Sequence, residues 1–259
     1  MKRLLNILVL FGVVAYLIVV LGLVSDKVNK SPCQSLNITI VDSADNHFVS
    51  GNDIYQLIVK DQINPLGGEL GKVNTKEMEE IIRNTPFVKT TEIYKSSNGK
   101  LNVCITQREP IIRVIDEHGE GYYIDKEANI LPLGEYYTAR VVVANGWNLA
   151  GGTPGDNLIE LKTDTKYTMI YDLYQLGVFI YNDDFWRAQV EQIYLTKLGE
   201  FQLIPRVGAH IIEFGDISNY QDKFDKLYAL YNQGFQDEGW NKYVKINLAF
   251  KDQVVCTMR

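Results

Sequence analysis

The sequence predicts an α+β protein with an N-terminal transmembrane helix, a small β-α-α-β-β domain, and a β-rich mixed domain with two helices. Three observations lead to this prediction. An apolar run occupies residues 4–24, a strand-helix-helix-strand-strand pattern follows at 36–108, and short strand-like segments dominate residues 109–259.

The apolar run at residues 4–24 has the length of a membrane span, and Asn6 is its only strongly polar side chain. A helix rises about 1.5 Å per residue, so this run covers the ~30 Å hydrocarbon core of a bilayer. Lys2 and Arg3 precede it, and the positive-inside rule then places the tail, residues 1–3, in the cytoplasm.

A cleaved signal peptide is the alternative, but its apolar core would be only ~7–15 residues long, with small residues at its cleavage site. Residues 24–27 read Val-Ser-Asp-Lys and offer no such site. We therefore expect a single-pass protein of the cell inner (cytoplasmic) membrane. A linker at residues 25–35 would join the span to a periplasmic body.

The first domain is predicted from alternation and from helix-capping signals. Residues 36–41 alternate apolar and polar side chains, as in a half-buried strand. Ser50 with Asp53, and Asn74 with Glu77, have the spacing of residues that cap a helix N-terminus. Each pair precedes a short amphipathic stretch, which predicts two helices.

A hairpin should close this domain. Strand-like segments at 90–95 and 101–106 flank Asn98 and Gly99, a pair typical of a two-residue type I′ turn. Such a turn requires a positive φ at Gly99.

Arg108, Glu109 and Pro110 interrupt the pattern and mark the predicted boundary of the second domain. One helix should begin near residue 164 and end at Gly177, and another should span 220–233 and stop at Gly234, because glycine often ends helices. The predicted strands lie at 111–115, 121–125, 129–133, 140–145, 190–195, 201–205, 209–214, 244–250 and 254–258.

Composition narrows the possible functions. The content of 22% charged and 11% aromatic residues is that of a folded protein. A net charge of −6 gives a nucleic-acid partner no electrostatic support. Cys33, Cys104 and Cys256 cannot all pair with one another, so packed or idle thiols are favoured over a disulfide framework.

The motifs of common enzymes are missing or incomplete. The glycine-rich stretch at 67–73 lacks a phosphate loop's first glycine, where Leu66 stands, and its Ser or Thr, where Val73 stands. The three histidines are scattered, without metal-ligand spacing. Asp183 and Asp184 are candidates for half of a glycosidase pair, but neighbours in sequence usually point apart, and a solvated turn is the simpler interpretation. We expect no cofactor, no metal, no small-molecule substrate and no catalysis.

Several motifs follow the apolar run in a fixed order: Thr85-Pro86-Phe87-Val88, Arg108-Glu109-Pro110-Ile111, Tyr122-Tyr123-Ile124-Asp125, Leu131-Pro132-Leu133, Tyr137-Thr138-Ala139-Arg140-Val141, Pro205-Arg206-x-Gly208 and Ile246-Asn247-Leu248-Ala249-Phe250. Together they resemble the FtsQ/DivIB family of bacterial cell-division proteins, in its Bacteroidetes form. Gln107 stands where the family's domain junction usually has an acid, and Asn247 and Ala249 stand where it has an acid and an arginine. A charge-pair contribution to partner binding at Ala249 is therefore absent or has moved to Arg206 or Lys245.

The resemblance implies a POTRA domain at residues 36–108 and a β-rich FtsQ-type domain at 109–259. It also implies a non-catalytic scaffold of the divisome that recruits FtsB/DivIC-like and FtsL-like proteins for septum formation. Two alternatives stay open from the residues alone. One is a membrane-anchored envelope hydrolase that uses Asp183 or Asp184, and the other is a POTRA module of a secretion system.

The last predicted strand is the candidate docking site for a partner. Residues 254–258 carry no charge, proline or glycine, the devices that usually protect a sheet edge. An incoming strand could add to such an edge through main-chain hydrogen bonds, and a proline at Val255 would then remove a donor. Alternatively, this segment is the last strand of a closed core and has no free edge. The predicted partner-binding residues are Arg206, Phe250, Val254, Val255, Cys256, Thr257 and Met258.

Overall fold

The computed structural model describes residues 10–20, 30–41, 47–61, 63–96, 98–235, 239–251 and 253–259. Residues 10–20 are helical, with exposed side chains from 10 to 19. Within the described ranges, no helix is both long enough and apolar enough to cross a membrane. The predicted tail lies outside these ranges, as do parts of the predicted span and linker. The chain divides into two compact units, residues 1–107 and 108–259.

The first unit has the predicted strand-helix-helix-strand-strand order. Its three-stranded sheet has the order β1-β3-β2, with β1 parallel and β2 antiparallel to β3. Both helices contribute buried isoleucines to one core with the sheet. The elements are β1 (Ser35–Ile40), α1 (Gly51–Lys60), a 3₁₀ helix (Leu70–Lys72), α2 (Thr75–Arg83), β2 (Val88–Lys95) and β3 (Lys100–Gln107).

Both predicted helix caps are confirmed. The Ser50 hydroxyl accepts a hydrogen bond from the Asp53 backbone N–H at 3.2 Å, and the Asp53 carboxylate accepts one from the Ser50 N–H at 2.8 Å. The Asn74 side chain accepts from the Glu77 N–H at 3.3 Å. These bonds satisfy donors that a helix leaves unpaired at its N-terminus.

The hairpin before β3 differs from the two-residue turn expected from Asn98 and Gly99. The Ser96 N–H donates to the Lys100 carbonyl at 2.8 Å, and the Gly99 N–H donates to the Ser96 carbonyl at 3.2 Å. Three residues, 97–99, therefore lie between the closing pair, as in a loop that ends in a left-handed glycine. The prediction of a positive φ at Gly99 is confirmed at 79°. The type I′ prediction is wrong because the pairing closes one residue earlier, at Ser96.

We expect Gly99→Val to destabilise the first unit by more than about 1 kcal/mol, because a β-branched residue fits poorly at positive φ. A Cβ at Gly99 would also lie 3.1 Å from the Pro32 carbonyl oxygen and 3.3 Å from the Gln34 side chain. Gly67 is a matched control in the same unit, since it has a φ of 81° and no described atom within 4 Å of its Cβ position.

Amide hydrogen exchange of β1–β3 provides the measurement. Protection should fall further in Gly99→Val than in Gly67→Val. Equal losses would show that only backbone strain, and no contact with the chain before β1, matters at Gly99.

The second unit is built on a nine-stranded sheet with the order β12-β11-β10-β9-β8-β7-β4-β5-β6. Three pairs of neighbouring strands are parallel: β4 with β7, β7 with β8, and β10 with β11. The strands are β4 (Pro110–Ile115), β5 (Gly121–Asp125), β6 (Ile130–Pro132), β7 (Val142–Gly146), β8 (Val190–Leu195), β9 (Phe201–Pro205), β10 (Ile211–Gly215), β11 (Tyr243–Asn247) and β12 (Val255–Met258).

The helices of this unit share a core with one face of the sheet. Five side chains on that face, one from each of five neighbouring strands, are almost fully buried: Ala144, Ile193, Leu203, Ile212 and Ile246. The helices are α3 (Leu158–Leu161), α4 (Thr168–Asn182), α5 (Asp184–Gln189), α6 (Tyr220–Ala229) and a π-helix (Leu230–Gly234). The expectation of two helices was therefore too low. The short α3 and α5 have too few turns to produce a helical period in the sequence.

The prediction that α4 ends at Gly177 is wrong. The helix continues to Asn182, and Gly177 lies inside it against β4. A Cβ at Gly177 would lie 2.1 Å from Cδ1 of Ile112, so glycine here permits close packing of helix on strand. At Gly234, where the next helix was expected to stop, the π-helix ends.

A buried aromatic cluster follows α6. The Tyr231 ring packs against Trp240 at a tilt, and the Phe235 ring packs against it edge-to-face. The Tyr231 hydroxyl lies 2.9 Å from Nε2 of His210. Burial lowers the pKa of the His210 imidazole, which favours its neutral form. His210 is therefore part of the packed interior.

Candidate functional site

The strand β12 lies at one edge of the nine-stranded sheet. It pairs antiparallel with β11, and no described strand lies on its other side. Val255 is 41% exposed, Met258 is 65% exposed, and Thr257 is also exposed. Val254 and Cys256 pack against the core. This arrangement fits an open sheet edge better than a last strand that is enclosed in the core.

The pairing with β11 determines which backbone groups of β12 face outward. The Arg259 N–H donates to the Lys242 carbonyl at 3.0 Å, so Arg259 points towards β11. Successive residues in an antiparallel strand alternate in direction, which turns Thr257 and Val255 inward and Met258 and Cys256 outward. A proline at Val255 would therefore damage the β11–β12 pairing, whereas one at Met258 would remove an outward donor.

The connection between β11 and β12 is held by a lysine from α6. The Lys226 ammonium donates to the carbonyl of Phe250 at 2.7 Å, to that of Lys251 at 3.3 Å and to that of Leu248 at 3.4 Å. Phe250 is 47% exposed. The lysine thus holds the backbone at Phe250, whose exposed aromatic side chain stands just before the edge strand.

The face of β11 away from the core is polar beside this edge. The Glu213 carboxylate on β10 accepts from the Lys245 ammonium at 2.8 Å and from the Asn247 amide at 3.0 Å. Lys245 is the register neighbour of Thr257, and Asn247 is that of Val255. The lysine charge beside β12 is therefore already paired within the sheet.

Arg206 is not next to the edge strand. It follows β9, and three strand spacings of ~4.8 Å separate β9 from β12, or about 14 Å. Its Nε lies 3.8 Å from a Glu191 carboxylate oxygen. The structure thus brings Phe250 and residues 254–258 together, and it places Arg206 elsewhere.

The aspartate pair considered for hydrolysis has structural contacts. The Asp183 carboxylate accepts from the backbone N–H groups of Phe185 at 2.9 Å and Trp186 at 3.0 Å, so it caps α5. The Asp184 carboxylate accepts from the Arg187 guanidinium at 2.6 Å. The pair begins a helix, where a solvated turn was expected.

Metal and thiol chemistry receive no support from the arrangement. In the part of the chain that the structure describes, no group of three or more His, Cys, Asp or Glu side chains could hold a metal ion. All three cysteines are free thiols. Burial raises the pKa of Cys256, which keeps the thiol on the edge strand protonated.

Sequence reasoning missed Lys226. Nothing in its local pattern distinguishes it from a solvated lysine on an amphipathic helix. Only the fold of residues 248–251 brings three carbonyl groups to its ammonium.

Comparison with known proteins gives two matches to family models. Residues 109–257, more than half of the chain, match the model described as FtsQ/DivIB, C-terminal related. Residues 31–106 match the model of a POTRA-like domain. No curated protein matches the chain.

Proposed function

The chain belongs to the FtsQ/DivIB family, and we propose that it is a non-catalytic scaffold of the bacterial division machinery. A span at residues 4–24 would hold it in the inner membrane as a single-pass protein, with residues 1–3 in the cytoplasm. The POTRA domain at 36–108 and the β-rich domain at 109–259 would lie in the periplasm. Its partners would be FtsB/DivIC-like and FtsL-like division proteins.

The open edge at β12 is the observation that carries this proposal. A strand of the partner would add to β12 and bond with the outward backbone groups of Cys256 and Met258. The exposed side chains of Val255, Thr257 and Met258 would supply specificity. Phe250, held by Lys226, would pack against the partner as an aromatic anchor.

The supported partner-binding residues are therefore Phe250 and Val254 to Met258. Arg206 leaves this set because of its distance from β12. The charge expected from Arg206 has no replacement at Lys245, because that side chain bonds with Glu213.

Met258→Pro tests the proposal in the full-length membrane protein. The substitution removes one outward N–H and places a ring where the added strand would lie. We expect capture of a co-expressed FtsB/DivIC-like partner, measured after cross-linking and purification, to fall at least about tenfold, since one hydrogen bond contributes ~1 kcal/mol and the clash adds to its loss.

Met258→Ala is the matched control, because it shortens the same exposed side chain and keeps the backbone donor. Its capture should stay close to that of the unsubstituted protein. Unchanged capture by Met258→Pro, with the tryptophan emission of the folded protein preserved, would refute docking at this edge.

A further inference from the structure

A pocket of about 270 Å³ in the second unit combines an apolar floor with an arginine-rich rim. The buried side chains of Ile111, Ile180 and Val190 form part of its lining. It lies where β4, β7 and β8 begin, at the end of the sheet where β9 finishes.

The charged lining is positive in a protein that is negative overall. Arg140, Arg187 and Arg206 line the pocket together with a single acidic residue, Glu191. Positive groups thus outnumber negative ones by two in the lining, or by one if the Arg187–Asp184 pair is set aside, whereas the whole chain has a net charge of −6. Such a local reversal attracts anions.

Two of the three guanidinium groups are available to a ligand. Arg187 is engaged, since it donates to Asp184 at 2.6 Å and to the Tyr181 carbonyl at 3.1 Å. Arg206 approaches Glu191 only to 3.8 Å, and both side chains are about 60% exposed, which makes for a weak pair. Arg140 is exposed and has no hydrogen bond or ion pair among the described residues.

We propose that this pocket binds an acidic peptide segment of a partner protein, with a carboxylate held by Arg140 and Arg206. The guanidinium fork matches the two oxygens of a carboxylate. The apolar floor suits the aliphatic stem of a glutamate or a neighbouring apolar side chain. A phosphate dianion has no such stem, and Glu191 repels it more strongly than a monoanion.

The pocket is separate from the edge strand. Arg206 lies about 14 Å from β12 by strand spacing. Met258→Pro should therefore leave binding at this pocket unchanged.

The test measures fluorescence anisotropy of a labelled peptide of alternating glutamate and leucine, titrated with the full-length protein in detergent. We expect it to bind at least about tenfold more tightly than the same peptide with glutamine in place of glutamate. Arg140→Gln and Arg206→Gln should each weaken binding about tenfold. Arg206→Lys should also weaken it, since lysine keeps the charge but lacks the fork.

Arg83→Gln is the matched control, because it removes one exposed arginine from α2 in the other unit. Equal losses in Arg83→Gln and Arg206→Gln would overturn the proposal, since binding would then follow net charge. Equal affinity for the glutamine peptide would also overturn it. If inorganic phosphate displaced the peptide more effectively than glutarate, the carboxylate assignment would be wrong.

Discussion

Replacing Asp125 with alanine should lower the free energy of unfolding of the second unit by about 3–5 kcal/mol, the usual cost of breaking a buried charged pair. The Asp125 side chain is fully buried. Its carboxylate accepts from the backbone N–H groups of Asn129 at 2.7 Å and Glu127 at 3.0 Å. It also accepts from the Arg108 guanidinium at 3.1 Å. The Asn129 side-chain amide is a fourth donor, at 2.9 Å. Alanine would leave all four donors without this acceptor.

Tryptophan fluorescence during urea unfolding measures this effect selectively. All three tryptophans of the chain, Trp147, Trp186 and Trp240, belong to the second unit. Asp125→Asn is the control, since its amide oxygen can still accept from the backbone donors, and it should cost less than alanine. A loss below about 1 kcal/mol for Asp125→Ala, the size of an average substitution, would contradict this role.

Gly177→Leu should destabilise the same unit by about 1–3 kcal/mol, because overpacking a filled core forces side chains out of their preferred rotamers. The first atom of the new side chain would overlap the fully buried Ile112. Ile112→Ala would remove both atoms that a Cβ at Gly177 approaches most closely, namely Cδ1 at 2.1 Å and Cγ1 at 2.5 Å.

The double variant separates this clash from other effects of leucine in the helix. If Gly177 and Ile112 pack directly, the double variant should lose less stability than the sum of the two single variants. The free energies of unfolding would be measured from tryptophan fluorescence. If the losses of the two single variants simply add in the double variant, contact with Ile112 does not determine which side chains residue 177 can accept.

Local chemistry made much of the fold predictable. The Ser50–Asp53 capping box and the positive φ at Gly99 depend on neighbours within a few residues, and both were read correctly. In the sequence, Gly177 looks like a glycine that ends a helix. Its actual role is to allow close packing against Ile112, which lies far away in sequence. A pattern along the chain cannot distinguish these two uses of glycine.

The candidate site was predictable to the level of the strand but not of its individual groups. An uncharged last strand indicated an open edge, and β12 lies at the edge. The direction of each N–H depends on the pairing with β11, which the sequence does not reveal. Val255 was therefore expected to carry an outward N–H that proline would remove, but in the structure Met258 carries one and Val255 does not. Arg206 was grouped with the edge because sequence gives no distance between β9 and β12.

The parallel strand pairs of the sheet affect the order in which the second unit can assemble during synthesis. The hairpins β4–β5 and β8–β9 can close as soon as both strands have emerged, because their partners are adjacent in sequence. The strands β10 and β11 are parallel, so they can pair only after the intervening α6 has been synthesised. The edge of β10 stays unpaired until then. Since β12 follows every other described strand of this sheet in sequence, it is synthesised after them and can pair with β11 only then. A partner that adds to β12 would therefore engage only molecules whose second unit has finished folding, so recruitment would itself act as a check on maturation.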